Sequence, residues 1–432
     1  MRRFAVTVRG RLGRLLRAVS VDADLLRRRR ELRLLIVGQA TSDLGSMITF
    51  VAVPVQTYQL TRSSVAVGLL GVAEFVPILV LALVGGALAD AFDRRRLVML
   101  AEGGAALVVA GLVVNSLLPE PQLWLLYLAA AGIAACTAIR RPPMDALMPQ
   151  LVDHVELKSA SALQWAIHNI AQMAGPALGG LLIAGAGAAV TYTADLATFA
   201  ISIASLAAMT TPPPPERQAL GLRAIAEGLR YARSRQELIG TYAVDINAMF
   251  FGMPMALFPA LGERYGGGAV VGLLYAAPSA GAVVATLTSG WTHRIHRHGR
   301  AVVLAAAGWG VAIVGFGLAP SLWLALLCLA VAGGADAVSG VFRATIWNET
   351  IPARLRGRLA GVEMISWSSG PLLGNAEAGI ASALVGLRTS VVAGGVMCVA
   401  GSLALAALLP RLWSYDARHG AAAPPEELIE AR

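Results

Sequence analysis

Charge is scarce in this chain, and lysine is nearly missing: only 14% of the 432 residues are charged, and Lys158 is the single lysine. A soluble domain carries roughly a quarter charged residues, so the composition excludes an ordinary water-soluble globule. Cysteine is sparse too. Cys136, Cys328 and Cys398 fall inside apolar runs without ligand spacing, which points to neither a disulfide framework nor a metal site. No phosphate-binding G-x-x-x-x-G-K-[ST] loop, no H-E-x-x-H and no G-x-S-x-G occurs, so an ATP-driven pump of that type and the corresponding hydrolases are excluded. The chain does not read as an enzyme, and no cofactor is expected. A compact apolar stretch followed by a small-residue cleavage site is also missing from the N-terminus, which is instead arginine-rich and amphipathic over residues 1–33. That segment is expected to lie on a cytoplasmic membrane surface, held by anionic lipid.

What remains is grease, at 56% hydrophobic residues. A hydrocarbon core of about 30 Å needs about 20 apolar residues in a helix. That ruler predicts twelve spans, near 34–58, 65–89, 97–118, 122–141, 160–185, 188–210, 239–262, 269–291, 301–320, 322–346, 358–384 and 388–410. The runs lack period-two alternation and exceed the roughly ten residues of a barrel strand, so the expected class is an all-α polytopic membrane protein.

The arginines set the expected topology. With the N-terminus inside, every basic residue lies at a cytoplasmic terminus, loop or helix end except Arg62, Arg264 and Arg388. The net charge of +9 is thereby topological, and nucleic acid is not an expected partner. TTPPPPERQ, beginning at Thr210, opens a stiff linker over 211–238, where Leu222, Ile225, Leu229 and Tyr231 alternate with arginines as on a surface helix. It separates a six-helix half at 34–210 from another at 239–410, with a cytoplasmic tail at 411–432.

The halves read as copies. AVGLLG at 66–71 matches VVGLLY at 270–275, Arg140 and Pro149 fall opposite Arg343 and Pro352, and GPALGG at 175–180 is echoed by GPLLGN at 370–375. Duplicated halves related by an axis along the membrane normal are a transporter architecture.

Between the second and third spans stands GGALADAFDRRRL. Gly86, Leu88, Asp90, Arg94, Arg95 and Arg96 resemble the loop motif of the major facilitator superfamily. The resemblance implies a latch on the cytoplasmic side when the transporter faces outward, with Asp90 pairing across the seam between halves. Ala91 and Asp93 depart from the motif, and Arg294 stands opposite Asp90 in the second copy. AQMAGPALGG at 171–180 resembles the superfamily's fifth-helix motif of exporters and proton antiporters, carried here by Gly175, Pro176, Gly179 and Gly180. Physically, the glycines permit close packing and the proline favours a kink. NSLLPEP at 115–121, PPPPE at 212–216 and VGLLYAAPSAG at 271–281 are similar to the enterobactin-type siderophore exporters. The superfamily's usual basic residue within helix four is expected to be missing, because Arg140 and Arg141 fall at the inner end of the predicted span.

Ionisable residues inside spans are functional candidates, because a charge in lipid costs at least a few kcal/mol. Asp43 lies on a polar stripe with Gln39, Ser42, Ser46 and Thr49. The resemblance places the first, fourth, seventh and tenth helices around the cavity, which singles out Asp245 and Asp336 as well. Gln164, His168 and Gln172 form a second stripe, and Glu363, Ser366, Trp367 and Glu377 form its counterpart. Aligning the two Gly-Pro pairs sets His168 opposite Glu363, a pair able to share a proton load. Glu102 and Asp195 are expected to be scaffold.

The expected function is proton-coupled export of a siderophore-like or other amphiphilic small molecule by alternating access, from a monomer in a bacterial inner membrane with both termini in the cytoplasm. A broad drug or macrolide efflux pump and, more remotely, a non-transporting receptor or scaffold are the alternatives.

Overall fold

The computed structural model describes residues 23–153, 155–210 and 230–418, with the side chains of 23–24, 82–91, 353–358 and 360–362 outside the description. Every regular element among the described residues is helical. The long ones are α1 (Arg30–Thr61), α2 (Ser64–Ala91), α3 (Arg94–Leu117), α4 (Leu123–Leu151), α5 (Leu157–Ala207), α6 (Gln236–Gly252), α7 (Phe258–Tyr265), α8 (Gly268–Leu287), α9 (His298–Leu318), α10 (Leu322–Thr350), α11 (Ala353–Val385) and α12 (Leu387–Leu408). Short helical turns at Ala23–Arg28 and Pro410–Trp413 precede and follow them. Ten of the helical stretches are long and apolar enough to cross a membrane.

The expected spans map onto these helices with three corrections. The fifth and sixth are arms of one 51-residue helix, α5, broken only where Gly187 adopts φ 81°, ψ 174°. Backbone dihedrals around Pro176 stay helical, and the break in them sits at the glycine, whose positive φ a side chain would resist. Gly386, with φ 87° and ψ 156°, makes the same joint between α11 and α12. The seventh span is interrupted, since α6 ends at Gly252 and α7 begins at Phe258 after Pro254. The fourth runs ten residues beyond the expected limit, to Leu151, carrying Pro142, Pro143 and Pro149 inside the helix.

Packing repeats between the halves. α1 lies along α5, α2 and α3 lie on α4, and α3 lies on the second arm of α5; correspondingly α6 lies on α11 and α12, α8 and α9 lie on α10, and α9 lies on α12. The two most extensive contacts across the seam are α2 with α11 and α5 with α8. Glycines explain how closely these helices approach. A Cβ on Gly179 would lie 2.8 Å from the Ile48 carbonyl oxygen, and one on Gly374 would lie 2.5 Å from that of Phe250. Across the seam, a Cβ on Gly180 would fall 2.5 Å from the Gly272 Cα, and Gly68 presses on the Asn375 backbone in the same way. Gly68 and Gly272 hold the same place in AVGLLG and VVGLLY, so the sequence repeat and the packing repeat coincide. Small residues drive such contacts because lipid offers helices no hydrophobic incentive to associate.

Both seam contacts by glycine lie toward the face opposite the N-terminus. Arg62 and Glu263 form an ion pair there, from α1 to α7, and Phe50 meets Tyr275 edge-on at 5.5 Å. At the face that carries the N-terminus, the turn Ala23–Arg28 buries Leu25 against Leu32, Leu35, Leu147, Met148 and Leu206. Arg29 pairs with Asp153 and Glu156 on that face.

Candidate functional site: two arginine and carboxylate clusters

Each half holds one arginine deep among acids. In the first, Arg140 on α4 donates to Asp43 of α1 at 3.1 Å and to Glu102 of α3 at 3.1 Å. Ser42 donates to both Glu102 oxygens, at 2.9 and 3.0 Å. On its other side Asp43 meets His168 Nδ1 of α5 at 3.3 Å, and Gln172 stands 3.4 Å from the second ring nitrogen. Glu102 is fully buried and Asp43 is 8% exposed, while half of the His168 side chain is open. A cavity of about 10 Å³ beside Ser42, Ser46, Glu102, Thr137 and Arg140 has room for about one water.

In the second half Arg343 on α10 clasps Asp245 of α6 and donates to Asp336, two turns earlier on the same face of its own helix, at 3.3 Å. Asp245 is buried, whereas the Asp336 side chain is 41% exposed. Trp347 supports the site from below, donating to Thr241 at 3.3 Å and packing edge-on against Tyr242 at 5.0 Å. Glu363 on α11 is exposed and within electrostatic reach of Arg141, Arg343 and Asp245. The Tyr242 hydroxyl, Arg343 Nε and Ser366 hydroxyl are buried without a hydrogen-bond partner among the described residues.

Why these residues meet follows from the helices. Asp43 and Asp245 lie on the first helix of each half, and Arg140 and Arg343 on the fourth, so the repeat that packs the backbone also repeats the ion pair. Each arginine faces two carboxylates, which leaves a surplus negative charge within membrane helices. A cluster of that composition becomes neutral by taking up one proton, and His168, Asp336 and Glu363 are the members open to water or cargo.

Several expectations need correction. Arg140 is not at a helix end: α4 continues eleven residues past it, so a basic residue does stand within the fourth helix. Glu102, assigned to scaffold, belongs to the Arg140 cluster. His168 and Glu363 are not brought together, because His168 turns to Asp43 and Glu363 to the arginines. The stripe on α1 is divided among neighbours: Gln39 accepts from Gln164 at 2.9 Å, Ser42 serves Glu102, and Thr49 donates to Asp195. Asp195 is thus the helix-to-helix hydrogen-bonding group it was expected to be. Glu377 is half-buried with no ion pair among the described residues.

The motif between α2 and α3 is only partly visible. The side chains of Gly86, Leu88 and Asp90 lie outside the described residues, as do residues 1–22, most of the 211–238 linker and residues 419–432. Arg94 donates to the Ala146 carbonyl of α4 at 3.2 Å, Arg95 caps the end of α5 by donating to the Leu206 carbonyl at 2.6 Å, and the Asp93 side chain caps the N-terminus of α3 through Arg96 N–H at 3.0 Å. Gly175 and Gly179 pack on α1, whereas Pro176 and Gly180 face Gly272 across the seam. One contact crosses the seam nearer the N-terminal face: Arg141 lies over the Trp367 ring at 4.7 Å. Among the described residues no group of three His, Cys, Asp or Glu side chains is arranged to hold a metal.

Comparison with known proteins decides the family. Residues 26–431 match the transmembrane secretion effector family. The chain belongs to that family of the major facilitator superfamily. It is 30% identical over 414 residues to the enterobactin exporter EntS of Escherichia coli O9:H4, covering 94% of this chain and 97% of that one. It is 31% identical over 373 residues to EntS of Shigella boydii serotype 18, covering 85% and 87%. Among solved structures, a bacterial homologue of the lysosomal transporter Spinster, crystallised inward-facing and unoccupied, has a TM-score of 0.69 at 16% identity, covering 92% of this chain and 99% of that one. The nucleoside transporter NupG has a TM-score of 0.66 at 13% identity, covering 88% and 98%. At those identities the structures speak for the fold alone. This major facilitator protein is a multi-pass secondary transporter of small molecules, not an enzyme.

Proposed function

We propose that this transporter exports a siderophore-like or other amphiphilic small molecule in exchange for protons, from a monomer in a bacterial inner membrane with its N-terminal, arginine-rich face in the cytoplasm. The observation that carries proton coupling is the surplus carboxylate in each arginine cluster: Arg140 against Asp43 and Glu102, Arg343 against Asp245 and Asp336. A charge held in lipid without a counter-charge is expensive, so proton uptake and cargo binding each change the preferred arrangement of the halves. His168 supplies the first cluster with a half-exposed imidazole, and Asp336 and Glu363 give the second its open end. Glycine contacts and the Arg62–Glu263 pair close the opposite face, which supports an inward-facing arrangement ready to load cargo from the cytoplasmic side. Relatedness to the EntS proteins supports the siderophore class.

The test is proton-gradient-driven uptake of a labelled catecholate siderophore into inside-out vesicles, comparing the unaltered chain with Asp43→Asn, Asp245→Asn and Asp336→Asn. Uptake abolished by an uncoupler, and by at least one substitution that leaves the protein folded, is the expected result. Uptake that proceeds equally without a gradient in every variant would overturn the coupling. Competition by unrelated lipophilic drugs in place of the siderophore would move the assignment to broad efflux.

A further inference from the structure

Glu102 is the deepest acid of the first arginine cluster, and the groups around it bear on its charge. Its side chain is fully buried, whereas the Asp43 side chain is 10% exposed. The Ser42 hydroxyl of α1 stands 2.9 Å from Glu102 Oε1 and 3.0 Å from Oε2. A hydroxyl has one proton to give and lone pairs with which to accept. Against an ionised carboxylate that single proton is divided between two oxygens, and neither contact is a full bond. Against a protonated one the ring closes: Oε2–H donates to Ser42 Oγ, and the Ser42 hydroxyl donates to Oε1. Arg140 Nη1 donates to Oε1 as well, at 3.1 Å, so Oε2 is the oxygen without a guanidinium and the one placed to carry the proton.

Asp43 has no such need. Arg140 Nη2 donates to its Oδ1 at 3.1 Å, and His168 Nδ1 lies 3.3 Å from its Oδ2. The Gln172 amide nitrogen stands 3.4 Å from His168 Nε2, which makes Nε2 the acceptor and leaves the imidazole proton on Nδ1, directed at Asp43. Both Asp43 oxygens therefore meet N–H donors. The other titratable neighbours bring no positive charge to Glu102. Cys136 of α4 lines the small cavity beside it, and α5 carries Asp195, whose oxygens accept from Thr49 and Thr198. One guanidinium then balances one carboxylate, that of Asp43, and a second buried charge without a partner is avoided.

We propose that Glu102 carries the proton of the first cluster, held between its own Oε2 and the Ser42 hydroxyl, while Asp43 stays ionised on Arg140. Its part in coupling rests on the export reading; the charge state itself does not. Release breaks the Oε2–H bond, leaves the electron pair on the carboxylate and passes the proton to a water in the adjoining cavity of about 10 Å³. Arg140 then faces two carboxylates at once, and that surplus charge changes which arrangement of α1, α3 and α4 is preferred. Ser42 is a positioning residue in this scheme: it does not titrate, and it decides which oxygen holds the proton.

Infrared spectroscopy of the full chain in lipid nanodiscs, at neutral pH and with no gradient, reads the proton directly through the carboxylic acid C=O stretch. The unaltered chain is compared with Glu102→Gln, and each is prepared with heavy carbon in the side-chain carboxyls of either glutamate or aspartate. The expected result is a band that Glu102→Gln removes and that the glutamate label shifts while the aspartate label does not. Ser42→Ala should move the same band to higher frequency, because Oε1 loses a donor. A spectrum in which Glu102→Gln removes no acid band would overturn the proposal. So would a lost band that only the aspartate label shifts, since the proton then resides on Asp43. If Glu102→Gln does not fold, the glutamate label and Ser42→Ala carry the comparison, and a glutamate acid band unmoved by Ser42→Ala overturns it. A protonated Glu102 beside siderophore uptake that ignores the gradient leaves the charge state standing and removes the coupling; gradient-driven uptake with an ionised Glu102 does the reverse.

Discussion

Arg62, at the end of α1, is ion-paired with Glu263 on α7, and the pair ties one half of the molecule to the other at the face opposite the N-terminus. Arg62 was one of three basic residues on the wrong side for a positive-inside chain, and the pairing accounts for it. Arg388, another of the three, donates to the carbonyls of Gly317 at 3.2 Å and Leu318 at 3.1 Å and caps α9. Exposed pairs contribute about 0–1 kcal/mol, so Arg62→Ala should shift the balance of open and closed outer faces by up to about fivefold. Spin-label distances across the two helix ends would report it. The charge swap Arg62→Glu with Glu263→Arg should restore the original distribution, and high salt should mimic the single substitution.

Gly180 and Gly272 meet backbone to backbone where α5 crosses α8. Gly180→Val forces the helices apart there, and overpacking of this kind costs about 1–3 kcal/mol. The expected outcome is a transporter that still inserts but no longer seals its outer face. Labelling of a single cysteine placed in the cavity by an impermeant reagent from the outer side should rise. Gly111→Val, at a site where a Cβ meets nothing within 4 Å, should change neither.

Removing Arg140 leaves Asp43 and Glu102 without the guanidinium between them, with only His168 beside Asp43. Breaking a buried pair in this way costs about 3–5 kcal/mol, so Arg140→Gln should lower the thermal unfolding midpoint in detergent far more than Arg95→Gln, which loses only a helix cap. Combining Arg140→Gln with Glu102→Gln should recover part of the loss at alkaline pH, once Glu102 is ionised, because it then removes one of the stranded charges. An equal midpoint for the single and double variants would mean that Glu102 does not belong to the cluster energetically.

Arg141 lies over the Trp367 ring across the seam, toward the N-terminal face, at 4.7 Å. A cation over an indole contributes about 0.5–2 kcal/mol. Trp367→Leu should therefore widen the distance distribution between the N-terminal-face ends of α4 and α11, while Trp367→Phe should fall between the two. A distribution that is unmoved by Trp367→Leu would show that the contact does not hold the halves together.

Much of this was legible before any coordinates. The helices, their number within the uncertainty of breaks, and the duplication could be read because lipid demands long apolar runs and because repeats keep their glycines. Asp43, Asp245 and Asp336 stood out since an acid in such a run is rare. Arg140 was misplaced for a local reason: Pro142 and Pro143 look like a helix end, yet α4 continues through them. Glu102 was misjudged for a non-local one, because nothing in α3 indicates that Arg140 of α4 reaches it.

The linear sequence alone determined that the chain lives in a membrane, that its helices fall into two matching sets, and that a few ionisable side chains stand where lipid penalises them. Those properties are additive along the chain, so a linear reading recovers them. Which acid each arginine takes, and that His168 turns to Asp43 and not toward Glu363, were decided only by tertiary packing. Side-chain partnership depends on rotation about helix axes and on distances between helices, and those are settled by glycine contacts between segments far apart in the chain.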